Sequence, residues 1–522
     1  MAGTSVGSVM AVSGAEVTFA LTARGGEEAR LGIGALVCIE VPGEATLAGV
    51  VHTLRGGRRG EDMFVGQLQL LGRFAESGAG LRFRRGVEHF PTLGDTVRLA
   101  HPEEERAVFR PDGGLAVEVG AIKGRPQLPA CLVVDSLLGK HFAVLGSTGC
   151  GKSSAVAVLL DSIVAACPHA SILLIDPHDE YPSAFGERAL ALDVSQIELP
   201  YWMLTLDELA AVLAPGGDAR SYAERAILKQ AVLEARRAST SDPELALGLT
   251  VDTPVPYRLS LLERLLEEAM GSLDKPEGTA PYRHLLARLA AVRNDPRFRF
   301  LFSGMAVRDN LAALLGRLLR LPDEGRPITV LDISGVASEV VDVVVSVLCR
   351  IVFEYGLWSE REHRRPVLLV CEEAHRYVPD DPRLGFEPSR RAIDRLAKEG
   401  RKYGVALGLV SQRPAELSTS AISQCGTIIA MRMSNERDQR FVERAFPDGS
   451  EWMLRMLPAL GTGEALVVGQ GAPVPMAVRF RHLPPDKRPA SATPPFSRLW
   501  QEPLLDPGWL ARTVDRWRRQ RR

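Results

Sequence analysis

No apolar run in this 522-residue chain approaches the roughly 20 residues that cross a bilayer as a helix. Its N-terminus also lacks the charged-then-apolar pattern of a secretory leader. Both absences lead us to expect a cytoplasmic protein with no membrane partner. Cysteine is sparse. The seven residues Cys38, Cys131, Cys150, Cys167, Cys349, Cys371 and Cys425 are scattered, odd in number and free of any C-x-x-C pair. That argues against a zinc site or a disulfide framework, and leaves reduced thiols, mostly buried among apolar neighbours. Excess positive charge is missing too, because 63 Lys and Arg are balanced by 64 Asp and Glu, for a formal net charge of −1. A globally basic nucleic-acid binder is therefore excluded, and any DNA contact must come from local basic surface, multiplied by oligomerisation. What remains is an ordinary globular composition, 46% hydrophobic, long enough for two or three domains.

The most informative stretch is Gly146, Ser147, Thr148, Gly149, Cys150, Gly151, Lys152 and Ser153, a full match to G-x-x-x-x-G-K-[ST] with Ser154 next. An apolar run, His141 to Leu145, precedes it and reads as a buried strand; Ser154 to Ile163 follows with helical spacing and no breaker. Glycines in that setting let backbone N–H groups curl around an anion, and the helix N-terminus adds its dipole. Lys152 is placed to reach the β- and γ-phosphates, and the Ser153 hydroxyl to ligate Mg²⁺. The alternative, an ordinary glycine-rich turn, does not account for an intact Gly-Lys-Ser in this context. A nucleoside triphosphate and Mg²⁺ are the expected ligands.

Residues 1–105 read as all-β. The runs Val6–Met10, Val17–Leu21, Ala35–Val41, Ala45–Val51 and Met63–Leu71, separated by turns such as Arg55-Gly56-Gly57-Arg58, predict a small barrel or sandwich. With no catalytic constellation, it reads as an assembly or partner-docking platform. A polar connector, His101 to Gly114, leads to an α/β nucleotide-binding core over 115–204 and 322–482. Amphipathic helices over 205–321 form an insertion between its two parts, and 483–522 form a Pro-rich arm with a basic end, Arg516-Trp517-Arg518-Arg519-Gln520-Arg521-Arg522.

Within the core, Ser171–Ile175 is a second buried strand that ends at Asp176, where open parallel sheets bind ligands. Asp176 is a site candidate on that ground, and equally a turn or capping aspartate. Val367–Cys371 ends in Glu372 and Glu373, two acids suited to holding Mg²⁺ and to polarising the attacking water. Val405–Val410 ends at Ser411-Gln412-Arg413-Pro414, which makes Gln412 a candidate γ-phosphate sensor. A helix over Ser389–Lys402 carries Arg391, Arg395, Lys398 and Lys402 on one face, with Arg390 and Arg401 beside it. That stripe reads as a solvated surface, a DNA-facing stripe, or a reach toward a neighbouring subunit's nucleotide.

The ordered set Gly-Ser-Thr-Gly-Cys-Gly-Lys-Ser, Ile-Asp-Pro-His-Asp-Glu-Tyr, Cys-Glu-Glu-Ala-His-Arg-Tyr, Lys-Glu-Gly-Arg-Lys-Tyr-Gly and Val-Ser-Gln-Arg-Pro, behind an N-terminal barrel, resembles the HerA family of hexameric DNA translocases, relatives of FtsK. The resemblance reaches to about residue 480. It implies a RecA-like ATPase core, ATP with Mg²⁺ as cofactors, Glu373 as the catalytic glutamate, Arg401 as an arginine finger acting in trans, and a place for Asp176 in the ATP site. One departure is Glu372, which stands where most ATPases carry Asp as the first Walker B acid. The function implied is an ATP-dependent hexameric translocase or helicase that threads double-stranded DNA through a ring channel. Its effector partner would be a NurA-type nuclease, a sirtuin-type NAD hydrolase or another nuclease, in end processing or anti-phage defence. Competing readings are an ATP-regulated ring scaffold that activates an effector, and a conjugation or secretion motor.

Overall fold

The computed structural model describes residues 4–21, 31–42, 45–56, 64–77, 80–194, 197, 199–272, 276–302, 307–322, 324–336, 338–446, 450–490, 496–501 and 506–518. Gly57 and Arg58 of the first turn, Met63, Pro494, Pro495 and the terminal Arg519 to Arg522 lie outside them. The chain forms two compact units, Met1–Cys167 with Gly408–Leu483 and Pro168–Leu407 with Pro484–Arg522.

The first unit opens with seven antiparallel strands, β1 (Ser5–Ser13), β2 (Glu16–Leu21), β3 (Leu36–Glu40), β4 (Leu47–Arg55), β5 (Phe64–Ser77), β6 (Gly80–Arg85) and β7 (Thr96–Leu99). They run in the order β2-β1-β7-β3-β4-β5, and β5 pairs back onto β2, which closes a six-stranded barrel with β6 outside on β5. Alternate residues point inward, so Val17, Phe19, Val37, Ile39, Val51, Leu68 and Val97 meet in one core. Strands β6 and β7 escaped the hydrophobic pattern because one is arginine-rich and the other only 4 residues long.

The expected polar connector instead holds a helix, Pro102–Phe109, which buries Ala107, Val108 and Phe109. Its Glu104 takes both guanidinium nitrogens Nη1 and Nη2 of Arg98, at 2.8 and 2.7 Å, and the His101 amide at 2.7 Å. The buried face is too short for its period to be read. After it, an unforeseen antiparallel hairpin, Ala116–Ile122 with Arg125–Val133, closes one side of the unit's second sheet. From the opposite side that sheet runs Gly408–Ser411, Phe142–Leu145, Thr427–Met431, Glu464–Gly469, Met476–Phe480, and then the hairpin. The first three are parallel and fully buried, which their unbroken apolar runs require.

The second unit is built on four parallel strands, ordered Ala189–Asp193, Ile328–Asp332, Ile172–Asp176 and Val367–Cys371. Five longer helices, Leu206–Leu213, Ala219–Ser239, Leu259–Gly271, Ala280–Asn294 and Leu311–Leu319, bury their apolar faces, and the first two also bury Glu208, Glu224 and Arg236. Helix Glu387–Glu399 packs on helix Ser338–Trp358. The C-terminal arm is not uniformly extended: it includes a helix, Trp509–Arg518, in a stretch that proline leaves free. Among the described residues no helix is long and apolar enough to cross a membrane.

Candidate active site

In the first unit the glycine-rich loop leaves the strand Phe142–Leu145 and enters the 15-residue helix Lys152–Ala166. Gly149 and Gly151 have φ of 74° and 98°, values that a side chain would strain. The loop is tied down by main-chain bonds. The Gly146 amide donates to the Ser411 carbonyl at 3.2 Å, the Ser147 amide to Arg432 at 3.0 Å, and the Gly463 amide to Cys150 at 2.9 Å. The Ser147 hydroxyl also donates to the Arg432 carbonyl, at 2.8 Å. Lys152 is buried, and its Nζ lies across its own loop, 3.1 Å from the Ser147 carbonyl. Gln412 is brought to the same place, where its Oε1 accepts from the Thr148 hydroxyl. Ser153 is half-buried and Ser154 exposed at the helix start, while the Cys150 side chain faces inward. Burial pushes the Cys150 thiol up, so it packs rather than reacts.

In the second unit three acids gather at neighbouring strand tips. Asp176 is fully buried, and its two carboxylate oxygens accept the amides of His178 and Tyr181, each at 3.0 Å. Burial pushes its carboxyl up, against those amide bonds. Asp176 therefore shapes the loop His178–Tyr181 directly, which is the turn role that the sequence offered for it. Tyr181 in turn donates its hydroxyl to Glu372 Oε2 at 3.2 Å. Glu373 has φ 52° and ψ 41°, a left-handed backbone that is uncommon for a residue with a side chain and typical of strain held at functional sites. Its carboxylate lies between two imidazoles, His178 Nε2 at 3.6 Å and His375 Nδ1 at 3.3 Å. A buried carboxylate with imidazoles on both sides is equipped to polarise water and pass on its proton.

The basic stripe is corrected. The α-helix stops at Glu399, and Arg401 and Lys402 lie in the 3-10 turn Gly400–Tyr403, off the face of Arg391 and Arg395. Gly400 is buried there, where an added Cβ would meet the Val405 carbonyl at 2.9 Å. Arg391 pairs with Asp207 at 3.0 Å, and Arg395 pairs with Glu354 at 3.2 Å while covering the Phe353 ring. Arg401 is exposed, and its side chain makes no ion pair among the described residues.

Sequence reasoning missed the supports of this machinery. Arg432 and Gly463 lie far along the chain and act through backbone atoms. Tyr181 and His178 belong to the Asp-Pro-His-Asp-Glu-Tyr segment, so a polar run after a buried strand was their only signal.

The family described as "Helicase HerA, central domain" matches residues 117–352. A DNA double-strand break repair helicase HerA of Pyrococcus furiosus is 27% identical over 424 residues, covering 74% of this chain and 73% of that protein. A probable helicase of Methanocaldococcus jannaschii is 29% identical over 386 residues, 70% of each chain. Among solved structures, VirB4 of Thermoanaerobacter pseudethanolicus shares the fold, with a TM-score of 0.51 at 16% identity over 73% of this chain and 100% of that one. With the glycine-rich loop and the acidic strand tips in place, the chain is an ATP-hydrolysing P-loop enzyme whose central part matches the HerA family and which is similar to HerA helicases over about three quarters of its length.

Proposed function

We propose that this protein is an ATP-driven DNA translocase or helicase, a homohexameric ring around double-stranded DNA that works with an effector. The observation that carries the reading is the strained, buried Glu373 between His178 and His375, in a chain that also holds an intact phosphate loop. Relatives named as DNA double-strand break repair helicases, matched over about three quarters of this chain, support DNA as the substrate.

The main-chain amides of Gly149 to Lys152 and the Lys152 ammonium bind the triphosphate. The Ser153 hydroxyl and the Glu372 carboxylate are each a hard oxygen donor of the kind Mg²⁺ takes, and the ion would neutralise charge on the phosphate oxygens. Tyr181 orients Glu372, and Glu373 polarises the attacking water. Gln412, already joined to Thr148, senses the γ-phosphate. Arg401, exposed and unpaired in its own subunit among the described residues, reaches the neighbouring subunit's nucleotide. Asp176 keeps the His178–Tyr181 loop in register with both glutamates. The resemblance to the family supports an effector of the NurA-nuclease, sirtuin-type NAD hydrolase or other nuclease kind, in end processing or phage defence, and a cytoplasmic setting.

The test is ATP hydrolysis and strand displacement with and without linear duplex DNA. We expect stimulation by DNA, lost in Lys152→Ala. Hydrolysis indifferent to DNA, with no displacement in the presence of the effector, would instead mark a ring scaffold.

A further inference from the structure

The turn Gly461-Thr462-Gly463-Glu464 meets the phosphate loop at one peptide bond. Its Gly463 amide donates to the Cys150 carbonyl at 2.9 Å, and a Cβ placed on Gly151 would lie 3.1 Å from the Gly463 nitrogen. A trans peptide points its C=O and N–H in opposite directions. Holding the Cys150 carbonyl toward the turn therefore aims the Gly151 N–H away from it. That amide has no acceptor among the described residues. The turn is held by an ion cluster centred on the buried Glu464. Glu464 Oε2 accepts the Gly461 amide at 2.8 Å and pairs with Lys123 Nζ at 2.6 Å, while Oε1 pairs with Arg479 Nη2 at 2.8 Å. Lys123 comes from the tip of the hairpin Ala116–Val133, and next to that tip Arg125 bonds Glu105 at 3.0 Å and the Gly34 carbonyl of the barrel at 3.3 Å.

We propose that Glu464 is a positioning residue for nucleotide binding: clamped by Lys123 and Arg479, it fixes the Gly461–Glu464 turn, which orients the Gly151 amide toward the triphosphate. The inference rests on reading the loop as the triphosphate site. A clamp of this kind acts on binding more than on the chemical step, because Glu464 touches no reacting group. Charge-assisted bonds to a buried carboxylate are strong and directional, so loss of one partner loosens the turn.

The experiment measures ATP binding by calorimetry, and KM and kcat well below the melting temperature, in Glu464→Gln, Lys123→Met and Lys123→Arg. For Glu464→Gln and Lys123→Met, Kd and KM should rise about tenfold with kcat within about twofold, the cost of a misplaced binding group. Lys123→Arg, which keeps the ion pair, should restore wild-type KM. If Lys152→Ala abolishes binding while Glu464→Gln and Lys123→Met bind as wild type, with only the melting temperature lowered, the positioning role is overturned and the triphosphate site stands. Unchanged binding in Lys152→Ala would overturn the site itself.

Discussion

The phosphate loop and the acidic strand tips are held by different means. The loop is tied to the rest of its unit mainly by main-chain bonds with Ser411, Arg432 and Gly463, to which the side chains of Ser147, Thr148 and Lys152 add three more bonds. The acids are fixed by side chains, Tyr181 on Glu372 and two histidines on Glu373. Backbone bonds depend little on the identity of the residue that makes them, so the loop should tolerate change wherever glycine, Lys152 and Ser153 are spared. The acids lack that insulation, and changes around them should reach the chemistry.

Neither set of contacts includes an arginine side chain, which the transition state of phosphoryl transfer rewards. Arg401→Ala should lower turnover by about 10³–10⁵ while leaving ATP binding intact. Mixing Arg401→Ala with Glu373→Gln subunits should return activity at interfaces that pair the two intact residues. No recovery in rings proven to be mixed would place the cation elsewhere. Glu373→Gln alone should bind ATP and lose about 10²–10⁴ in kcat, the usual weight of a general base. Near-normal turnover in that variant would remove Glu373 from the reaction and leave its backbone strain without a purpose. Tyr181→Phe isolates the side-chain support: loss of one hydrogen bond to a charged carboxylate, about 1.5 kcal/mol, should cut kcat about tenfold with ATP affinity unchanged. If kcat does not move, Glu372 is positioned by other groups and the contrast between the two regions weakens. At the small end, Cys150→Ala should leave ATP affinity and kcat within about twofold and cost about 1 kcal/mol of stability, because the thiol only packs. A tenfold loss of activity would show that the loop depends on its side chains after all.

The elements legible in the sequence were those whose signal is local. Gly-Lys-Ser between a strand and a helix, and Glu372-Glu373 at the end of an apolar run, are read from a few adjacent residues, and the structure places both at strand tips. The supports were not legible because they come from afar: Arg432 meets Ser147 across 285 residues, and Glu464 depends on a lysine from a hairpin whose strands alternate too weakly to announce themselves. The helix Pro102–Phe109 was hidden for a related reason, since its apolar buried residues are only Ala107, Val108 and Phe109, preceded by three glutamates. The misjudged end of the basic helix turned on Gly400, whose packing against Val405 cannot be inferred from charge spacing.

The barrel's closure bears on solubility. A protein displayed in many copies brings identical surfaces close together at high local concentration, and an open sheet edge in that setting is an invitation to pair with its own kind. Because β5 returns to β2, six of the seven strands offer no such edge. The exception is β6, whose exposed Arg82 and Arg84 set like charges against any second copy that approached in the same register. The same closure narrows how a different protein can be recognised there: among the described strands, strand addition is open to it only at β6, and elsewhere the barrel must be read through its loops and outward side chains.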